Sequence, residues 1–162
     1  MNRIAFIALA AVPLAACNSN TAIGNDREAR LDPPPSAAPI ENAASALANL
    51  NPGLMLPETM SDADLAALGA ENACQFRLTE VAFPSFVHDG DGQGAIKING
   101  KLIPVMSNGP GSYASGELRI RTRPLDDRGT AGLQMQEMIV VAPRAKDEFG
   151  FWGYTTCASA ET

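Results

Sequence analysis

AIKINGKLIPVM, residues 95–106, contains the strongest turn signal in the chain. Asn99 and Gly100, at its centre, both tolerate the positive φ angles that a two-residue type I′ turn requires. Apolar residues flank the turn on either side, so the stretch predicts a β-hairpin with Ile96 opposite Ile103 on one face. An antiparallel sheet is therefore the starting point for the fold.

Further strands are predicted on both sides of this hairpin. Apolar and polar residues alternate with a period of two, as in half-buried strands, over residues 74–79 and 117–123. Residues 133–141 and 151–157 are predicted to supply two further strands. Pro124 is expected to end its strand because proline donates no ladder hydrogen bond. Five or six strands separated by Gly, Pro and Asp turns predict a mainly β fold (α+β), a small antiparallel barrel or sandwich.

One short helix is predicted just before the first strand. Ser61 can cap it, with an acidic residue three positions later, and Gly69 can end it in the left-handed conformation. Leu65 and Leu68 are expected to pack this helix onto the sheet. The globular domain is accordingly predicted over residues 58–162.

The N-terminus has the organisation of a bacterial export signal. Arg3 supplies positive charge, and residues 4–14 (IAFIALAAVPL) form an apolar core too short to span a bilayer. Residues 14–17 (LAAC) resemble the lipobox of bacterial lipoproteins, which implies cleavage before Cys17 and acylation of its sulfur. We expect a signal peptide over residues 1–16 and membrane attachment through this lipid. An ordinary secretory peptide is the alternative.

A flexible tether is predicted over residues 17–57, which are rich in Asn, Ser, Ala and Pro. Within it, residues 41–50 (ENAASALANL) have helix-forming alanines but no convincing apolar stripe. Asn18, rather than Asp, follows the cysteine; in the sorting pattern of enteric lipoproteins this implies the outer membrane, with the domain facing the periplasm. The domain is thus expected in the cell envelope, clear of the lipid surface.

Cysteine count and charge limit the chemistry. The chain has three cysteines, and lipidation of Cys17 leaves Cys74 and Cys157 to form a disulfide between the first and last strands. His88 is the single histidine, so no metal or cofactor site is expected. The formal net charge of -6 disfavours binding to nucleic acid.

No catalytic constellation is evident. His88 and Asp89 are adjacent on an extended segment and would point to opposite faces, and the chain has no G-x-S-x-G elbow. We predict that the protein is not an enzyme and that His88 is a surface loop residue. Residues 89–94 (DGDGQG) resemble the start of a calcium loop, with oxygen ligands on Asp89, Asp91 and Gln93, but a solvated glycine-rich connection is the favoured interpretation.

Two strand faces are candidate binding surfaces. Arg119, Arg121 and Arg123 form a stripe suited to the carboxylates or phosphates of a cell-wall polymer or an envelope protein. The alternative is a solvated face balanced by the nearby acids Glu117, Asp126 and Asp127. Trp152 and Tyr154 share one face of the last strand and form either a recognition surface or a second minicore under the helix.

Residues 107–122 (SNGPGSYASGELRIRT) resemble the membrane-bound inhibitors of C-type lysozyme, small lipid-anchored β-barrels with a Ser-Gly-x-Gly-x-x-Tyr type loop. The matching positions are Ser107, Gly109, Gly111, Ser112 and Tyr113. The resemblance implies that Ser112 and Tyr113 enter a lysozyme cleft, although Pro110 alters the loop. Two functions follow as expectations: a non-catalytic binding or structural domain of the envelope, or an inhibitor of a cell-wall hydrolase.

Overall fold

The computed structural model describes residues 35–89 and 92–158. The predicted signal peptide, the predicted lipidation site Cys17 and the first part of the predicted tether lie outside these residues, as does Asp91. None of the described helices is long and apolar enough to cross a membrane. The helices are α1 (Ala43–Ala46), a 3₁₀ turn (Pro52–Leu54) and α2 (Asp62–Leu68).

Over the described residues, eight antiparallel strands form a closed barrel. Each strand pairs with its neighbours in sequence, and the last pairs with the first. The bounds are β1 Cys74–Arg77, β2 Phe86–His88, β3 Gln93–Ile98, β4 Lys101–Gly109, β5 Ser112–Ser115, β6 Leu118–Arg128, β7 Gln134–Val141 and β8 Phe149–Thr156. The predicted mainly β class is confirmed, and the architecture is the barrel rather than the sandwich.

The hairpin at the centre of the sequence forms as predicted. Asn99 and Gly100 have φ angles of 54° and 66°, and Ile96 pairs with Ile103 across β3 and β4. The same inward row continues through neighbouring strands, so that apolar side chains fill the barrel. The fully buried members of this interior include Phe76, Phe86, Ile96, Ile103, Leu118, Ile120 and Met138.

The disulfide between Cys74 and Cys157 is confirmed. Cys74 opens β1, and Cys157 directly follows the end of β8. These two strands are the ones whose pairing closes the barrel. The covalent bond therefore lies at the seam where the two ends of the sheet meet.

Helix α2 also forms as predicted. Ser61 caps it in a complete capping box, and Gly69 ends it with a φ of 63°. Leu65 packs outside the barrel in a second apolar cluster, against which Leu68 also lies. The other buried members of that cluster are Met60, Val87, Ala95 and Leu102.

Asp64 connects α2 to two other parts of the chain. Its buried carboxylate accepts hydrogen bonds from the backbone N–H of Ala38 (2.6 Å), from that of Ser61 (2.8 Å) and from Nζ of Lys97 (2.8 Å). Ala38 precedes α1, and Lys97 is on β3. One carboxylate therefore joins the N-terminal segment, the helix and the barrel.

The barrel unit begins earlier in the chain than the boundary predicted at residue 58. The described residues from 35 onward belong to one compact unit, and Ala43, Leu47 and Met55 are buried in the barrel core cluster. Ile40 forms a β-bridge with Leu102. The segment carries no strong apolar stripe because small alanines make much of its contact, which is why the sequence pattern resembles a tether.

Pro124 does not end its strand, contrary to the prediction. β6 continues to Arg128, and its register with β7 is irregular between Pro124 and Arg128. Pairing between β5 and β6 stops at Arg121, so Pro124 lies where β6 has only β7 as a neighbour. Proline is compatible with such an edge because a missing N–H leaves no partner strand unsatisfied.

Candidate functional site

The predicted arginine stripe lies on the outer face of β6. Arg119, Arg121 and Arg123 alternate with inward residues such as the buried Ile120, and all three are exposed. Arg121 forms an ion pair with Glu148 (Nη2 to Oε2, 2.9 Å). The stripe is therefore available to ligands from solvent.

The acidic partners of this stripe differ from the predicted ones. Arg123 pairs through Nε with Glu137 on β7, and Arg121 pairs with Glu148 from the connection between β7 and β8. Among the described residues, Arg119 forms no ion pair, and the expected partners Glu117, Asp126 and Asp127 form none with the three arginines. The prediction failed because pairing across strands, rather than proximity in sequence, brings acids beside the stripe.

A groove of about 230 Å³, which we call the basic groove, runs beside these arginines. One wall is the turn between β4 and β5, and the other is the outer face of β6 and β7. The lining residues are Pro110, Gly111, Ser112, Arg121, Thr122, Arg123 and Ile139. The groove brings predicted site residues of two separate segments, Ser112 and two of the arginines, into one surface.

Gly111 positions the turn that forms this groove. Its φ is +62°, and its carbonyl accepts a hydrogen bond from the N–H of Thr122 at 2.7 Å. A Cβ at this position would lie only 2.5 Å from the carbonyl oxygen of Thr122. Glycine is required here both for the left-handed conformation and for the close approach to β6.

Arg121 of the basic groove can exchange its partner for a ligand. In the Arg121–Glu148 pair, the two side chains are 57% and 56% exposed, so water and salt screen their attraction. A guanidinium in such a weak pair keeps the planar donor geometry that carboxylates and phosphates accept. The groove is therefore chemically suited to an anionic group.

Trp152 extends the exposed surface onto β8. Its side chain is 69% exposed, and it pairs across the sheet with Glu137, the partner of Arg123. A second groove of about 380 Å³ lies over Leu78, Gly150, Phe151 and Trp152. The alternative of a minicore under the helix is wrong for Trp152, since its side chain is largely exposed and lies outside the apolar cluster that α2 forms with β2, β3 and β4.

Tyr154 differs from Trp152 in being partly covered. The turn between β6 and β7 approaches its ring so closely that a Cβ on Gly129 would lie 2.5 Å from Cε1 of Tyr154. Glu80 fixes the same turn by accepting a hydrogen bond from the N–H of Ala131 (2.8 Å). Tyr154 therefore supports the turn, and Trp152 is the aromatic residue of the pair that reaches solvent.

Tyr113 is inside the barrel rather than in an exposed loop. It is 6% exposed, and its ring lies 5.2 Å from that of Phe86 and 5.4 Å from that of His88, measured between centroids. Burial, together with the charge of Asp89, raises the pKa of Tyr113. The geometry does not support Tyr113 as a residue that enters an enzyme cleft.

His88 is also placed differently from the prediction of a surface loop residue. It ends β2 and stacks on Phe86 with ring centroids 5.7 Å apart, which orients it toward Tyr113. The only sequence signal for this arrangement is a pair of glycines, Gly111 and Gly116, which bracket the four-residue strand that carries Tyr113. Both glycines have positive φ in the structure. So short a strand shows too little alternation to be recognised from sequence.

The candidate calcium ligands are only partly described. Oδ1 of Asp89 accepts a hydrogen bond from the N–H of Gln93 (2.8 Å), and the two residues also pair through their backbones. Asp91 lies outside the described residues. Within residues 35–89 and 92–158, no group of three or more His, Cys, Asp or Glu side chains is arranged to hold a metal ion.

Comparison with known proteins gives a family but no activity. One family model, described as a domain of unknown function (DUF6692), matches residues 13–160. Comparison with curated proteins and with solved structures found no match.

Proposed function

The chain belongs to the DUF6692 domain family, and from its N-terminal sequence and its barrel surface we propose that it is a lipid-anchored lipoprotein of the bacterial cell envelope whose barrel is a non-catalytic binding domain. The single observation that carries the binding proposal is the basic groove, where Arg121, Arg123 and Ser112 line one surface. The ligand is an anionic group of an envelope polymer or an acidic envelope protein. Carboxylates and phosphates share the acceptor geometry that two adjacent guanidinium groups recognise.

The face around this groove supports the proposal. Trp152 lies one strand beyond Glu137, so an exposed aromatic ring is close to an exposed cationic stripe. Exposed tryptophan and arginine are the side chains most often found at the centre of binding surfaces. The chain as a whole is acidic, so it does not attract anions in general. Anion binding is therefore expected only at this local basic face.

Lipid anchorage makes a separate prediction. Replacing Cys17 by serine is expected to abolish incorporation of labelled palmitate and to release the full chain from the membrane fraction, because acyl chains supply the membrane affinity. The measurement is metabolic labelling of the full chain in a bacterial host, followed by fractionation. A Cys74→Ser/Cys157→Ser chain keeps Cys17 and is expected to remain labelled. Undiminished labelling of the Cys17→Ser chain would contradict anchorage without affecting the binding proposal.

The binding proposal is tested with Arg121→Met/Arg123→Met. Methionine keeps the apolar stem but removes the charge, so we expect the full chain to lose roughly tenfold in apparent affinity for its ligand in an envelope extract. The measurement is the amount of ligand from the extract that the immobilised chain retains, over a series of extract dilutions. Arg128→Met/Lys146→Met removes the same charge from exposed positions outside the basic groove and is the matched control.

Two further arms identify the ligand class. Protease treatment of the extract removes a protein ligand, and cell-wall hydrolase treatment removes a polymer. Retention is also expected to fall as salt is raised, because the contacts are exposed charges. Equal retention by wild type and Arg121→Met/Arg123→Met, or no retention by wild type, would refute binding at this groove.

Inhibition of a cell-wall hydrolase is the alternative function. An inhibitory loop must be exposed, and the turn before Ser112 meets this requirement because it borders the basic groove. Tyr113 does not contribute to this surface because it is buried. An assay of C-type lysozyme with the same samples separates the two functions, since only an inhibitor lowers the rate of wall hydrolysis.

A further inference from the structure

A second groove, on a different part of the barrel surface, lies between α2 and the outer face of β1. We call it the α2–β1 groove, and its volume is about 390 Å³, within the range of small-molecule sites. The lining residues are Asp62, Leu65, Glu71, Gln75, Arg77, Val81, Ala82, Phe83 and Pro84. It shares no lining residue with the basic groove, so a ligand here would be independent of the proposed function.

Arg77 supplies the charge on the floor of this groove. Its Nη2 donates a hydrogen bond to Oε1 of Gln75 at 2.6 Å, and this acceptor is a neutral amide. Its Nε is buried and has no hydrogen-bond acceptor among the described residues, nor does any described carboxylate lie within ion-pair distance of the guanidinium. The side chain as a whole is only partly buried, so an anionic group in the groove could compensate the unpaired charge of the guanidinium through its terminal N–H groups.

The acids around the groove restrict what that anion can be. Asp62 and Glu71 line the groove but form no ion pair with Arg77 within the described chain. Glu80 follows β1, and its Oε1 is already bonded to the N–H of Ala131. Two lining carboxylates disfavour a ligand with several negative charges, which favours a single carboxylate as the group to which Arg77 donates its hydrogen bonds.

The rim of the groove is apolar and unusually exposed. Val81 is 93% exposed and Phe83 is 57% exposed, and both lie in the connection between β1 and β2. Leu65 and Pro84 extend the apolar lining inward. Apolar side chains that remain exposed beside a concave site are typical of a surface that binds an apolar group.

We propose that the α2–β1 groove binds a small apolar monocarboxylate, with the carboxylate on Arg77 and the apolar group against Phe83 and Val81. The charged and apolar parts of the ligand match the two parts of the groove. The ion pair between the ligand carboxylate and Arg77 fixes the orientation of the ligand, and Phe83 and Val81 supply the apolar surface that binding removes from water.

The test uses N-acetyl-L-phenylalanine as the probe and the full chain as the protein. N-acetyl-L-phenylalaninamide has the same size and apolar group without the charge, so it is the matched ligand control. Titration calorimetry is expected to show saturable binding of the acid, with the amide weaker by at least about tenfold. Acid and amide binding with equal affinity, or no saturable binding of the acid up to about 10 mM, would overturn the proposal.

Protein variants locate the binding. Arg77→Met is expected to weaken binding of the acid by roughly tenfold but to leave the weak binding of the amide unchanged. Phe83→Ser changes an exposed side chain, so it is expected to leave the circular dichroism spectrum unchanged. It is expected to lower the affinity for both the acid and the amide. Arg121→Met/Arg123→Met is expected to bind the acid as wild type does. Loss of acid binding in that variant would place the ligand in the basic groove and refute this site.

Discussion

Replacing Cys74 and Cys157 together by serine is expected to lower the free energy of unfolding by about 4 to 5 kcal/mol. The disulfide closes a loop with a sequence separation of 83, which contains every strand of the barrel. Without it, the unfolded chain gains the conformational entropy that the cross-link removes. A domain of this size has a net stability of only about 5 to 15 kcal/mol, so the loss is a large share of the total.

The measurement is equilibrium unfolding of the full chain in urea, monitored by circular dichroism. Reduced wild type is expected to unfold at the same urea concentration as the double variant, since both lack the cross-link. Cys17→Ser leaves the disulfide intact and is the control for the loss of a thiol. A decrease of less than about 1 kcal/mol would show that the bond contributes little beyond the pairing of β1 with β8.

Asp64→Ala is expected to lower the free energy of unfolding by about 3 to 5 kcal/mol. The substitution leaves Nζ of Lys97 and the N–H groups of Ala38 and Ser61 without their common acceptor. Because these donors belong to three separate parts of the chain, their loss should loosen α2 and the N-terminal segment from the barrel. Asp62→Ala alters an exposed acid in the same helical turn and is the matched control, with an expected change of less than about 0.5 kcal/mol.

The pH dependence gives an independent measurement of Asp64. Burial alone would raise the pKa of this carboxyl, but hydrogen bonds from Lys97, Ala38 and Ser61 outweigh it and lower the pKa from 3.8 to about 2. The group therefore stabilises the fold fully above about pH 4, and this contribution is lost as the pH falls toward 2. The expected loss is about 2 kcal/mol. Asp64→Asn should unfold with a weaker pH dependence between these values, and an unchanged dependence would assign the effect to other carboxyls.

Local signals in the sequence predicted the parts of the fold that depend on local geometry. Asn99 and Gly100 identified the central hairpin and its register, and Ser61 and Gly69 marked both ends of α2. Each of these features is decided within a few residues by φ angles or capping hydrogen bonds. The outward placement of the arginine stripe follows in the same way from the alternation along β6.

Apart from the disulfide, which the cysteine count predicted, features that depend on distant contacts were not predicted. β2 and β5 have only three and four residues, too few for a reliable alternation, and their pairing depends on the strands at either side. Residues 40–57 pack through alanines whose partners lie on the barrel. The basic groove required knowledge that Gly111 brings its turn against Thr122, which no spacing in the sequence reveals.

The pairing of β1 with β8 also has a consequence for how the molecule is made. A nascent chain that has not yet released residues 149–156 contains a sheet with two unpaired edges, and neither edge can be satisfied locally. Contacts of such high contact order form late, after the intervening hairpins. The barrel can therefore be completed only once β8 is available, when the sheet loses both unpaired edges at once and the sulfur atoms of Cys74 and Cys157 come within bonding distance.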